Sequence, residues 1–138
     1  MIDRRLLIAK IGLCGFLAAN FIGFPDRAAL AASSIVAAVD KDNDGTLDLA
    51  EVKEAAGAFF EKLNKDPDDT LDAKEVGARL GKSAFKAGDP DDDGTLTKDE
   101  YFAIVEKLFK AADANKDGVL TGKELQSKAG RALTRLIH

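Results

Sequence analysis

The chain is 138 residues long, enough for one domain, and carries a net charge of −4. The first 31 residues stand at +2 (Arg4, Arg5, Lys10 and Arg27 against Asp3 and Asp26) and the remainder at −6, which excludes the basic face of a nucleic-acid binder. One histidine, His138 at the last position, and one cysteine, Cys14, leave little for nucleophilic catalysis or a transition-metal centre, so the composition argues against an enzyme.

The N-terminus reads as a secretory signal peptide over residues 1–31. Arg4, Arg5 and Lys10 give a positive start, Ile11 to Phe24 an apolar run, and Ala29-Leu30-Ala31 the small residues that flank a cleavage point, placed after Ala31. The apolar run is short for a membrane span of about 20 residues, which sets an anchor aside. Leu13 is larger than the residue expected before a lipid-modified cysteine at Cys14. Residues 32–138 are therefore expected in the periplasm or outside the cell, free of the membrane after cleavage. The cut removes Cys14, so no disulfide helps the exported domain and another staple is expected.

The segment "SSIVAAV" (Ser33 to Val39) predicts an opening helix. "DKDNDGTLDLAE" (Asp40 to Glu51) then places five carboxylates around one glycine. Residues 52–63 predict a helix with an apolar stripe of Val52, Ala55, Ala56, Phe59, Phe60 and Leu63. "NKDPDDTLDAKE" (Asn64 to Glu75) repeats the acidic pattern with Asp69 where the glycine stood. Residues 76–88 predict a weaker helix, because Gly77 and Gly81 lower its propensity. "DPDDDGTLTKDE" (Asp89 to Glu100) is followed by a helix with Phe102, Ile104, Val105, Leu108, Phe109 and Ala112 on one face. "DANKDGVLTGKE" (Asp113 to Glu124) leads into an exit helix from Lys123 towards Ile137. The phenylalanine and leucine stripes read as core.

The four acidic segments start at Asp40, Asn64, Asp89 and Asp113, at intervals of 24, 25 and 24 residues, which marks a repeat. Each fits D-x-[DN]-x-[DN]-G-x5-E, the EF-hand calcium loop, the second with Asn64 at the first position and Asp69 in place of the glycine. Calcium takes six to eight hard oxygen ligands, so like charges gather only around a cation. Side chains at loop positions 1, 3 and 5, the carbonyl at 7, position 9 and the glutamate at 12 supply them. The expected ligands of loop one are Asp40, Asp42, Asp44, Thr46, Asp48 and Glu51. Those of loop two are Asn64, Asp66, Asp68, Thr70, Asp72 and Glu75. Loop three offers Asp89, Asp91, Asp93, Thr95 and Glu100, and loop four Asp113, Asn115, Asp117, Val119 and Glu124. Position 8 is always leucine (Leu47, Leu71, Leu96, Leu120) and reads as one residue of a short strand joining two loops.

The expected fold is all-α: one domain, residues 32–138, of four EF-hand loops joined by single shared helices, with short β pairing between loops. A shared helix holds consecutive loops about 18 Å apart, so the spacing predicts that loops pair non-consecutively.

This spacing, "DPDDDGTLTKDEYFAIVEKLFKAA" (Asp89 to Ala112) and the tail "AGRALTRLI" (Ala129 to Ile137) resemble the lanmodulin family of periplasmic lanthanide-binding proteins. The resemblance implies a three-helix-bundle core, loop one paired with loop four, loop two with loop three, preference for trivalent lanthanides over calcium, and folding on metal binding. The sequence departs from the family at loop position 2, where only Pro90 keeps the proline, and at position 9, where Thr97 and Thr121 replace aspartate.

The ligand positions offer five carboxylates in loop one, four each in loops two and three, and three in loop four. Loop one or three is expected to bind most tightly and loop two least, given Asn64 and Asp69. The cofactors are lanthanide(III) or Ca²⁺ ions at up to four sites. The leading function is capture of these ions. The alternatives are a periplasmic calcium sensor or adaptor that docks a protein partner and a calcium-stabilised structural protein, as monomer or dimer.

Overall fold

Three of the four acidic segments end in a helix cap. In a computed structural model describing residues 27–66 and 68–138, α1 (Arg27–Val39) leads into loop one, whose strand β1 (Leu47–Asp48) passes directly to α2 (Leu49–Leu63). Asp48 caps α2: its carboxylate accepts the Glu51 N–H at 2.7 Å, while Glu51 reaches back to the Asp48 N–H. This reciprocal pairing satisfies two of the donors a helix start leaves free. Asp72 with Glu75 and Thr97 with Glu100 do the same for α3 (Ala73–Val76) and α5 (Lys98–Ala112). The glutamate that closes each of these loops is thus the third residue of the next helix.

The signal peptide expected over 1–31 falls mostly outside the described residues, as does Pro67; its last five residues, 27–31, belong to α1. Among the described residues no helix is long and apolar enough to cross a membrane.

β1 pairs antiparallel with β4 (Val119–Leu120), Leu47 opposite Leu120. β2 (Thr70–Asp72) pairs antiparallel with β3 (Thr95–Thr97), Leu71 opposite Leu96. All four position-8 leucines are fully buried, each contributing roughly 1.5–3 kcal/mol by leaving water. Loop one therefore joins loop four, a non-consecutive pairing of the kind the spacing predicts. Loops two and three, however, are chain neighbours, and their pairing corrects the expectation that neighbouring loops stay apart.

The reason lies between them. Residues 73–88 do not form one helix. α3 ends after four residues at Gly77, a short 3-10 turn covers Gly77–Arg79, and α4 (Lys82–Gly88) starts beyond Gly81. The exit helix is also interrupted. A 3-10 turn at Glu124–Gln126 gives way to α6 (Lys128–Thr134), capped by Ser127. Gly130 sits against the backbone of Glu124 and Leu125, where a Cβ would collide.

One core runs through the molecule, with α5 packed on both α2 and α6. Val52, Ala56, Phe59, Phe60 and Leu63 of α2 and Ile104, Val105, Phe109 and Ala112 of α5 are buried as expected. Phe102 is only partly buried. Tyr101, absent from the expected stripe, is fully buried, meets Phe60 edge-on at 5.5 Å and donates its hydroxyl to the Leu136 carbonyl at 2.7 Å. Burial pushes its ionisation well above the ordinary tyrosine range.

Candidate metal centres

The loops hold their carboxylates by backbone hydrogen bonds. In loop one, Asp40 accepts the Asn43 N–H at 2.6 Å and the Gly45 N–H at 2.9 Å, one on each oxygen. Asp42 accepts from the Asp44 N–H and Asp44 from the Thr46 N–H and hydroxyl. Glu51 closes the ring, taking the Lys41 N–H at 2.7 Å on one oxygen and the Asp48 N–H at 3.0 Å on the other. Loop four repeats this with Asp113 on Lys116 and Gly118, and Glu124 on Ala114 and Thr121. In loop three Asp89 grips Asp93 and Gly94. Pro90 has no N–H to offer Glu100, which keeps the bonds from the amide and hydroxyl of Thr97 and lacks the second clasp of loops one and four.

These turns need positive φ at two places. Position 4 is left-handed at Asn43, Asp92 and Lys116, and position 6 at Gly45, Gly94 and Gly118. Loop two meets the second requirement with Asp69 at φ 57°, so an aspartate adopts the turn that glycine makes elsewhere. The first-position side chain is where loop two departs. Asn64 accepts the Asp66 N–H and, among the described residues, does not hold the position-6 amide of Asp69; the position-4 residue, Pro67, has no N–H to offer. A proline at position 4, Pro67, cannot enter the left-handed region at all.

Oxygens of Asp40, Asp42 and Glu51 lie within 4.8 Å of one another, and so do those of Asp89, Asp91 and Asp93. Two ligands on opposite sides of one Ca²⁺ stand up to roughly 5 Å apart, given bonds of about 2.3–2.6 Å. Both clusters fit one hard cation of that size. Loops two and four bring no such three-carboxylate group together among the described residues. Each has an asparagine at one of the side-chain ligand positions, Asn64 and Asn115.

The carboxyl groups record the crowding. The Asp44 N–H pulls Asp42 down, but burial and the charges of Asp44 and Glu51 outweigh it and raise its pKa. Asp66 is raised by its neighbour Asp68, and Asp91 by Asp89, with burial and the other loop charges adding in each case. Asp44 is lowered by the Thr46 hydroxyl and amide, and Asp68 first by the Thr70 amide. For Asp89, only 6% exposed, burial raises the pKa, but the Gly94 amide and the contact with Asp91 outweigh it and the net shift is down. Glu124 is lowered chiefly by the Thr121 amide. In loops one, two and three the third-position carboxyl is the one that favours a proton, and a cation among these oxygens would take that proton's place.

Position 9 has a second task that the ligand pattern did not show. Asp48 and Asp72 are helix caps as well as expected ligands, and Thr97 and Thr121 accept the Glu100 and Glu124 amides in the same way. The signal was present in the sequence as a cap residue followed three places later by glutamate.

The family description "EF hand" matches residues 37–55 and 104–127, which contain loops one and four. "EF-hand domain pair" matches residues 82–108, which contain loop three. No curated protein matches the chain. The chain carries EF-hand metal-binding units in a mostly helical fold with short antiparallel strand pairs.

Proposed function

We propose that the mature chain is an exported, lanmodulin-like protein with four metal loops that captures trivalent lanthanide or calcium ions and folds as it binds them. The observation that carries this reading is the oxygen cluster of Asp40, Asp42 and Glu51, clasped by backbone amides at a spacing that suits one hard cation. The pairing of loop one with four and two with three is the arrangement the lanmodulin resemblance implies, and it supports the finer reading. Pairing also evens the charge. Five and three ligand carboxylates meet at one end, four and four at the other, so each end offers eight to two cations.

A trivalent ion of calcium-like size gains more from these carboxylates than a divalent one. Coulomb energy scales with the product of charges, so the direct attraction stands at about three to two before desolvation. Repulsion among the sixteen ligand carboxylates opposes folding until cations arrive. One site filled at 100 times its dissociation constant contributes about 2.7 kcal/mol, so a few sites match the roughly 5–15 kcal/mol of an ordinary domain. Export rests on the leader read at residues 1–31.

Competition titration of La³⁺ against Ca²⁺ under metal buffering tests the proposal. La³⁺ should saturate the protein at free concentrations orders of magnitude lower. Asp48→Thr in loop one should cost La³⁺ more than Ca²⁺. Equal midpoints for the two ions would return the protein to ordinary calcium binding.

A further inference from the structure

We infer that Gly77 is the positioning residue that folds loop two back onto its chain neighbour, loop three, and thereby sets the metal affinity of that end of the molecule separately from the end formed by loops one and four. The inference deepens the metal-capture reading and rests on it for its affinity consequence.

The molecule contains its own controls. α2 is 15 residues long and unbroken, roughly 22 Å, and loops one and two at its ends do not pair. α5 is also 15 residues and unbroken, and loops three and four at its ends do not pair. Of the three segments that join one loop to the next, residues 73–88 alone are broken among the described residues, and there consecutive loops share a sheet, with Thr70, Leu71 and Asp72 opposite Thr97, Leu96 and Thr95. A continuous helix over this stretch would carry loop three about as far from loop two as α2 carries loop two from loop one.

The break starts at Gly77. Its N–H still bonds the Ala73 carbonyl, as a helical residue's would, but its backbone then turns to φ 56°, ψ −138°. That combination lies outside the left-handed helical region where asparagine and aspartate are tolerated, and it is essentially closed to residues with a Cβ. Beyond it the chain is tied down. Val76 and Leu80 are buried on either side, and the Arg79 guanidinium lies 5.4 Å from the centre of the Phe59 ring on α2. A Cβ at Gly77 would meet nothing within 4 Å. A substitution there therefore acts through backbone strain alone. Gly81, at the start of α4, has an ordinary φ of −66° and equally open surroundings.

The test compares four full-length mature proteins: wild type, Gly77→Ala, Gly81→Ala, and a protein with D-alanine at position 77 made by chemical ligation. The D-residue is suited to the mirror-image backbone region, so it should restore what L-alanine removes. Two readouts are taken in excess La³⁺ and in La³⁺ titration: hydrogen exchange at the amides of β2 and β3 against those of β1 and β4, and site affinities. Gly77→Ala should speed exchange in β2 and β3 and weaken the loop-two and loop-three sites roughly 5- to 150-fold, the range that strain of this kind gives. β1 and β4 should stay protected, and Gly81→Ala and D-alanine should match wild type. Equal effects at both ends, no effect at either, or failure of D-alanine to rescue would overturn the inference. A wild type that takes up no La³⁺ would count against metal capture, and the exchange comparison would still decide whether Gly77 shapes the sheet.

Discussion

Loops one and two stand at opposite ends of the same helix, have the same ligand spacing, and are organised differently at their first residue. In loop one the first carboxylate, Asp40, holds the amides of Asn43 and Gly45. In loop two, among the described residues, Asn64 holds only Asp66, and the turn is made by Asp69 at φ 57° with Pro67 two places before it. Both keep the closing clasp, Glu51 on the Lys41 amide and Glu75 on the Lys65 amide. The difference separates two functions of the first residue. It is an expected ligand, and it is also the group whose side chain organises the loop backbone. Loop two is expected to spend part of its binding energy on an ordering step that loop one has already made.

The largest effects should come from the strands behind the loops. Leu47→Ala and Leu71→Ala each empty a fully buried position, and each should cost the metal-loaded protein about 2–5 kcal/mol. Leu47→Ala should weaken loops one and four more than two and three, and Leu71→Ala the reverse, as read by site-resolved titration. Next comes the clasp. Glu51→Gln removes the charge that both ends of loop one converge on and should weaken that site by more than about a hundredfold, beyond the usual cost of losing a supporting group, in isothermal titration.

Acid should separate the loops further. The carboxyl groups of Asp42, Asp66 and Asp91 have raised pKa values, chiefly through their neighbours and burial. Metal needs them ionised, so affinity is complete above those raised values and falls as pH drops through them, about tenfold per pH unit for each proton displaced. Loop four has the neutral Asn115 at that position and a lowered Glu124, so it should hold its ion to lower pH than loops one to three. Titrations at stepped pH, following proton release, would show the order.

Asp69→Gly should strengthen loop two about tenfold by removing a left-handed conformation that costs an L-residue roughly 1–2 kcal/mol. If affinity stays put, the limiting feature is Asn64 or Pro67 and the double change Asn64→Asp with Asp69→Gly becomes the informative variant. The smallest effect belongs to the exposed Lys98–Glu61 bridge at 2.7 Å. Lys98→Ala should change thermal stability by no more than about 0.5 kcal/mol.

The parts of this molecule governed by local chemistry are readable in the sequence. Ligand spacing, the position-8 strands and the α2 stripe come from periodicity and from what a hard cation requires. The direction of the chain after Val76 is not readable there. Gly77 and Gly81 look alike as weak helix formers, yet one turns the chain at φ 56° and the other simply opens a helix. That choice is made by the burial of Leu80 and by Arg79 over Phe59, contacts distant in sequence. Tyr101 escapes the apolar stripe, which takes Phe102 instead, because its hydroxyl reads as polar; the partner of that hydroxyl is the carbonyl of Leu136, 35 residues away. The interruption of the exit helix at Ser127 likewise depends on Gly130 meeting the Glu124 backbone, a contact no periodicity records.

On the proposed reading, cations hold this fold together, and trivalent ions do so best. Far-ultraviolet circular dichroism of residues 32–138, followed from excess chelator through rising buffered La³⁺ and, separately, Ca²⁺, is the decisive measurement. Little helix is expected in chelator, and a steep gain of helix at far lower free La³⁺ than Ca²⁺. A cooperative, native-like melt in chelator, unchanged by either ion, would contradict it.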